Sequence, residues 1–430
     1  MSPIIFSHIS EADKNYSRTY TLPMNLKSEL KLPCGMLLLN RIAKSAMSEN
    51  MAEEGHYPGL HYTNLYRRWA MGGVGLCITG NVMIDHRHLG EPCNVVLEND
   101  LHLEHFKSWA QTTEGTAMSL WPQLNHPGKQ TPKFLTSEPV APSAIPLGPK
   151  MRAFFAPPRA LMEKEIEEII NRFANSAKLA QEAGFQGVQI HGAHGYLVSQ
   201  FLSPKHNQRQ DKWGGPLENR MRFLIEIYKS MRLKVGASFP IGVKINSADF
   251  QKGGFSHEDA ISVCQKISKL GMDLIEISGG SYEKPVMTGQ RQSTLKREAY
   301  FLQYASDIKK VIECPLMVTG GFRTQKIMEE VINSGEADLI GLARPLAIEP
   351  NLPYRLLSDS DVASKVHPIT TGIKFVDGLF PLEITWYTRQ LHLMGKNLEP
   401  KMNANAWNAI YHTLKEMGVT GLRRASARSN

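Results

Sequence analysis

A chain of 430 residues, 42% apolar and 21% charged, has the composition of a globular protein with a large core, which excludes a disordered chain. Length alone permits two or three domains, although one α/β barrel with insertions also reaches this size. The net charge of +8 and pI near 9.1 would suit an anionic partner, but the basic residues are spread along the chain except for Arg423, Arg424 and Arg428, so no nucleic-acid partner is expected.

In chain order, residues 1–24 form an N-terminal segment whose opening, MSPIIFSHISEADK, has no basic start followed by an apolar run and so predicts no secretory signal. No later stretch approaches the roughly 18 apolar residues of a membrane span, and a cytoplasmic protein without a membrane partner is expected. The first predicted strand is Met36 to Met47, followed by a helix in GLHYTNLYRRWAMGG and a second strand, Gly73 to Val82. A helix in LENDLHLEHFKSWAQTTEG, with Asn99 or Asp100 as cap, leads to the third strand, Thr116 to His126. Pro127 to Pro158 is Pro-rich and without a clean period, which predicts a long functional loop containing a hairpin.

The helix Met162 to Gly184 then leads to the apolar run GFQGVQI, a buried strand that stops at His191. A helix from Pro216 to Gly236 follows the loop after it. The remaining units are more compact: strand IGVKINSADF, helix HEDAISVCQKISKLG, strand LIEISGG, a loop with Gly and Lys, helix REAYFLQYASDIKKVI, strand PLMVTGGF, helix RTQKIMEEVINSG and strand ADLIGLARP. Eight alternating units fit a closed (β/α)8 TIM barrel better than an open sheet. The barrel is assigned to residues 25–360, and residues 361–430 to a C-terminal extension with one or two helices, the last over Ala406 to Gly418.

In such a barrel the site lies at the carboxyl ends of the strands. Those ends carry Ala46-Met47-Ser48, Gly80-Asn81, Gln123 with Asn125 and His126, His191 with His194 and Tyr196, Lys244 with Asn246, Ser278-Gly279-Gly280, Gly320-Gly321 and Ala343-Arg344. So many hydrogen-bonding groups on one rim mark a binding site. After strands seven and eight, Gly320 and Gly321 offer bare backbone N–H groups and Arg344 a charged fork, a pattern suited to phosphate, although a Gly-Gly pair alone also makes a simple turn. His191 and His194 flank two small residues and precede Tyr196. Read singly, the histidines also fit satisfied loop residues or a metal pair. Cys34, Cys77, Cys93, Cys264 and Cys314 are scattered without a C-x-x-C pair, so neither a metal site nor a disulfide framework is expected.

The run HGAHGYLVSQFLSP, with Asn207, Arg209, Asp211 and Gly214-Gly215 after it, resembles the old yellow enzyme family of FMN-dependent ene-reductases. The resemblance spans the barrel from Asn40-Arg41-Ile42 to Arg344. It implies that His191 and His194 hold the carbonyl oxygen of an enone or enal while Tyr196 protonates the alkene, and that hydride reaches FMN from NADPH or NADH. It also implies that Ala46, Met47, Asn81 and His191 contact the flavin, that Gln123 meets its amide edge, that Lys244 places a positive charge near N1, and that Gly320, Gly321, Ala343 and Arg344 hold the phosphate. A basic surface would also attract the anionic nicotinamide cofactor.

There are two departures from the family pattern. Ala46 and Ser48 leave no cysteine after the first strand, and Lys244 replaces a common Arg, keeping the charge but losing the fork. The chain also lacks the cysteines with which larger relatives ligate an iron–sulfur cluster after the barrel. An RNA-reducing FMN barrel of the dihydrouridine synthase type is disfavoured because QLNHPGKQ contains no cysteine. A flavin-binding protein without turnover is disfavoured by the intact His191, His194 and Tyr196. A homo-oligomer is compatible with the sequence.

Overall fold

Eight short apolar runs become eight parallel strands in a computed structural model that describes residues 24–279, 301–373, 376–377, 382–403 and 405–411. They are β1 (Ile42–Lys44), β2 (Leu76–Met83), β3 (Ser119–Asn125), β4 (Val188–Gly192), β5 (Ile241–Asn246), β6 (Leu274–Ser278), β7 (Leu316–Thr319) and β8 (Leu339–Leu342). Each pairs with the next. β8 pairs back with β1, Ile340 opposite Ile42, so the sheet closes into a (β/α)8 barrel. Every strand residue except Asn81 is buried, because the interior covers one face and helices the other, and the strands therefore show no alternation of polar residues.

The lower barrel interior is filled by Ala43, Leu76, Ile78, Trp121, Leu274, Met317 and Leu339. An antiparallel pair, Leu30–Lys31 with Leu37–Leu38, brings Leu30, Leu32 and Leu38 into the same cluster and plugs the amino end. Gly187 is required here, since a Cβ would lie 2.5 Å from the Trp121 ring.

Besides the short helices Leu197–Leu202 and Leu217–Arg220, the described helices include α1 (Leu60–Met71), α2 (Leu103–Ala110), α3 (Glu163–Glu182), α4 (Arg222–Val235), α5 (His257–Lys269), α6 (Leu302–Lys309), α7 (Gln325–Ser334), α8 (Arg344–Ile348), α9 (Leu352–Ser358) and α10 (Leu382–Gly395). α3 buries Ile166, Ile169, Ile170, Phe173, Ala174 and Ala177, the three-and-four spacing of a core-facing stripe. α5 is capped by Ser256, whose Oγ accepts from Asp259 N at 3.1 Å. α7 stops at Gly335, whose φ of 73° places it in the left-handed region.

Several elements differ from expectation. The run from Met36 to Met47 is not one strand, because Leu37–Leu38 belongs to the plug and only Ile42–Lys44 to the barrel. Between them Arg41 donates to Ser28 O at 3.1 Å and Glu29 O at 2.7 Å, which turns the chain. In the loop after β3, Pro132 bridges Phe155 in antiparallel fashion, as in a hairpin, while Val140–Ala141 pairs with Arg159–Ala160 in parallel. The helix expected from Pro216 is split into Leu217–Arg220 and α4. The extension, expected to hold one or two helices, contains α10, which packs on α1 and α8; of the last helix, expected over Ala406 to Gly418, residues 406–411 are helical and residues 412–418 lie outside the described residues. Gly280, the loop that follows it, residues 1–23 and the arginines of the tail also lie outside them. Among the described residues no helix is long and apolar enough to cross a membrane.

Candidate active site

The carboxyl ends of the strands open into a cavity of about 350 Å³. Ala46 and Met47 after β1, Asn81 in β2, Gln123 in β3, and His191 in β4 with His194 and Tyr196 beyond it all line this space. So do Lys244 in β5, Gly320 and Gly321 after β7, and Ala343 and Arg344 after β8. The segment carrying Met47 crosses β2 where its register with β3 shifts between Ile78 and Asn81. Gly80 N donates to Glu49 Oε1 there at 2.9 Å, and a Cβ on Gly80 would meet Glu49 Oε2 at 2.0 Å and Met47 O at 2.4 Å. Only glycine allows the two segments to touch.

The two histidines and the tyrosine sit within ring contact. The His191 centroid lies 5.1 Å from that of His194 and 4.8 Å from that of Tyr196. Ala193 N donates to His191 Nδ1 at 3.3 Å, which makes Nδ1 the acceptor and leaves the ring proton on Nε2. His194 adopts a left-handed backbone, φ 60°, held by its N–H to Asn246 Oδ1 at 3.1 Å, and its Nε2 lies 2.9 Å from Ser278 Oγ. Burial holds both imidazoles well below their usual pKa, the Lys244 cation adds to the effect on each, and both rings are neutral near pH 7. Each neutral ring still donates one N–H. Tyr196 is 5% exposed, and its hydroxyl oxygen accepts from Asn81 Nδ2 at 3.4 Å. Asn125 Nδ2 donates to Asn81 Oδ1 at 3.1 Å and so aims that amide. The bond to Tyr196 uses a lone pair of its hydroxyl and not its proton.

Below these groups lies a buried polar floor. Lys244 Nζ is 3.0 Å from Glu276 Oε1, the two side chains being 3% and 0% exposed. Thr319 Oγ1 donates to the same Oε1 at 2.7 Å, and Gln189 Nε2 donates to Oε2 at 2.8 Å. Gln123 Nε2 in turn donates to Gln189 Oε1 at 2.6 Å. A second buried lysine, Lys44, donates to Ile78 O at 3.0 Å and lies over the Trp69 ring, 4.4 Å from its centroid. Glu276 and Gln189 escaped the sequence reading. Their signal was one polar residue inside each of the apolar runs LIEIS and VQI.

At the other end, Gly320 and Gly321 have φ of 125° and 85°, which expose backbone N–H groups without a Cβ in the way. Arg344 lies beside them in the lining, ion-paired with Glu383 of α10. Burial raises the Glu383 carboxyl above its usual range while Arg344 opposes that rise. Glu383, Ile384, Tyr387, Thr388 and Leu391 make α10 one wall of the cavity. An anion-binding end of bare N–H groups and a guanidinium, an amide floor and a row of neutral donors fit a flavin carrying one phosphate. Asp85, His86 and Glu98 stand within ligating distance of one another, outside the cavity lining. Asp85 is already bound by Arg87, at 2.6 Å, which neutralises that group.

The chain matches the NADH:flavin oxidoreductase / NADH oxidase family over residues 30–361. It is 36% identical to the NADH-dependent flavin oxidoreductase iliE of Hypocrea jecorina (strain QM6a), an alignment covering 77% of this chain and 89% of that protein. It is 33% identical to the NADH-dependent flavin oxidoreductase iccE of Talaromyces variabilis, over 87% of this chain and 99% of that one. Against the iliE protein of Neonectria sp. (strain DH2), at 34% identity, the alignment covers 92% of this chain and 54% of the relative, so the chain spans about half of that protein's length. Among solved structures, a 2-naphthoyl-CoA reductase in complex with 2-naphthoyl-CoA superposes with a TM-score of 0.72 at 28% identity, covering 77% of this chain and 52% of that one. The old yellow enzyme homologue from Zymomonas mobilis shares the fold, with a TM-score of 0.67 at 24% identity over 80% and 95% of the two chains. By sequence match, barrel architecture and the fit of its cavity, this chain belongs to the NADH:flavin oxidoreductase / NADH oxidase family, flavoenzymes that pair FMN with a nicotinamide dinucleotide.

Proposed function

We propose that the chain reduces the activated C=C bond of an α,β-unsaturated carbonyl compound at the expense of NADH. FMN, when bound, supplies the hydride, accepted from the nicotinamide and passed to the β-carbon. Gly320, Gly321, Ala343 and Arg344 would hold its phosphate, Gln123 and Lys244 its pyrimidine edge, and Ala46, Met47, Asn81 and His191 its ring. His191 Nε2–H and an N–H of His194 hold the carbonyl oxygen, where negative charge develops; each preorganised donor of this kind contributes about 10² to 10³ in rate. Tyr196 delivers the proton to the α-carbon, so one hydride and one proton together saturate the bond. The choice of NADH follows the names of the relatives, and the reductase of a conjugated acyl thioester among the solved neighbours supports a conjugated carbonyl acceptor.

The observation that carries this reading is a pair of neutral imidazoles and a phenol packed together at one end of β4. Neutral donors bind an oxyanion without surrendering a proton to it. The test is phenol binding to the purified flavoprotein, followed by the long-wavelength charge-transfer band of a phenolate against oxidised flavin. The double variant His191→Ala/His194→Ala is expected to lose the band while retaining flavin. A band of unchanged affinity would place the oxygen site elsewhere.

A further inference from the structure

The floor network has a polarity that only one of its members can set. A carboxylate accepts hydrogen bonds and cannot donate them. Glu276 is surrounded by three donors, Lys244 Nζ at 3.0 Å, Thr319 Oγ1 at 2.7 Å and Gln189 Nε2 at 2.8 Å. With its Nε2 committed to Glu276, Gln189 can present only Oε1 to Gln123, which must then give it an N–H, at 2.6 Å. That leaves the carbonyl oxygen and second amide proton of Gln123 for the cavity it lines. On the other branch Thr319 spends its proton on Glu276, so Ser45 Oγ, 2.7 Å away, must donate to Thr319. One carboxylate thus orders side chains on β3, β4, β5 and β7 and the residue just after β1.

The same carboxylate cancels a charge. Lys244 is the cavity-lining cation suited to the flavin N1 region, and a cation there favours the negative charge that reduction adds to the pyrimidine end. In a site this dry the attraction between Lys244 and Glu276 is weakly screened, and the anion offsets much of the field that the lysine would exert alone.

We propose that Glu276 is a positioning residue for the flavin: it fixes the donor pattern of Gln123 and holds down the reduction potential of bound FMN by pairing with Lys244. This rests on the flavin placement given under Proposed function. Glu276 is fully buried and does not line the cavity, which its network reaches through Lys244, Thr319 and, by way of Gln189, Gln123, so activity alone would not separate this role from a structural one.

The experiment is dye-equilibrated redox titration of the FMN-loaded wild type and of Glu276→Gln, Glu276→Asp and Lys244→Gln, with flavin content and thermal unfolding measured on each. Glu276→Gln keeps the shape and removes the charge. It is expected to raise the midpoint potential by at least a tenfold change in the reduction equilibrium, about 30 mV for a two-electron couple. Glu276→Asp draws the carboxylate back from Lys244 and is expected to shift the potential in the same direction by less, which keeps the test open should Glu276→Gln not fold. Lys244→Gln is expected to lower the potential. If Lys244→Gln lowers it while both Glu276 variants leave it unchanged, the role given to Glu276 is wrong and the flavin placement stands. If none of the three moves the potential of a fully loaded protein, the flavin placement itself fails.

Discussion

Replacing Tyr196 by Phe separates the two half-reactions. The ring is kept, with its contact to His191 at 4.8 Å, and the hydroxyl is lost together with the long hydrogen bond it accepts from Asn81 at 3.4 Å. An ordinary bond of that type is worth about 0.5 to 1.5 kcal/mol, and Asn81 stays held by Asn125 at 3.1 Å, so the fold should lose about 1 kcal/mol or less. Removing a general acid costs far more in rate, about 10² to 10⁴, which corresponds to roughly 2.7 to 5.5 kcal/mol in the barrier. Anaerobic stopped-flow measurement of flavin reduction by NADH should therefore give nearly the wild-type rate. Reoxidation by 2-cyclohexenone, whose product has to be protonated, should slow by about two to four orders of magnitude. A nitroalkene, whose nitronate can leave unprotonated, should lose about tenfold or less. Equal slowing of both half-reactions would mean a disturbed pocket, and no slowing of either would assign the proton to water or another residue.

Arg344→Ala removes a charge-assisted contact worth about 1.5 to 3 kcal/mol, so flavin affinity measured by fluorescence titration of the apoprotein should fall about 10- to 150-fold. Glu383→Gln, which takes a competing carboxylate from the same guanidinium, should instead tighten flavin binding several-fold, and an unchanged constant in both variants would remove the phosphate from this end. Stability should fall with acid. His206 is pushed down to about 3 by burial and by Lys129, whose Nζ lies 2.9 Å from its Nδ1, and burial also holds His126, His191 and His194 well below their usual value. The unfolded chain binds the extra protons in this window, so stability is complete above the free histidine value near 6.5 and is lost as pH falls below it, by up to about 1.4 kcal/mol per pH unit for each such histidine. Urea titrations from pH 8 to pH 5 should show this slope, reduced by about one proton in His206→Gln; a flat profile would contradict neutral burial.

The site was legible because a barrel strand covered on both faces reads as an apolar run that stops where the chain reaches the rim. His191 and Arg344 stand at such stops, Lys244 interrupts an apolar run two residues before the end of β5, and the cavity gathers all three. Glu276 was not legible as Lys244's partner. Its bonds reach Gln189, 87 residues away, and Thr319, 43 residues away, and only the order of strands brings them together. The first strand failed for a related reason: Leu37 and Leu38 are as apolar as Ile42, and which of them enters the barrel is decided by Arg41 binding carbonyls from residues 28 and 29. The sequence allows a second helix in the extension but does not place α10, because its buried face, including Trp386, Tyr387, Leu391 and Met394, becomes a face only against α1 and α8.

The cavity is built from two kinds of material. Its floor is strand, locked by hydrogen bonds among buried groups, so a change at Gln123, Gln189 or Glu276 disturbs several partners at once. One wall is α10, where Ile384, Tyr387 and Thr388 meet the same space from a helix outside the closed sheet. Substitutions there alter width and polarity without reaching the floor. A lineage diversifying its acceptors, or a laboratory selecting new ones, can therefore explore this helix while the buried floor is inherited intact.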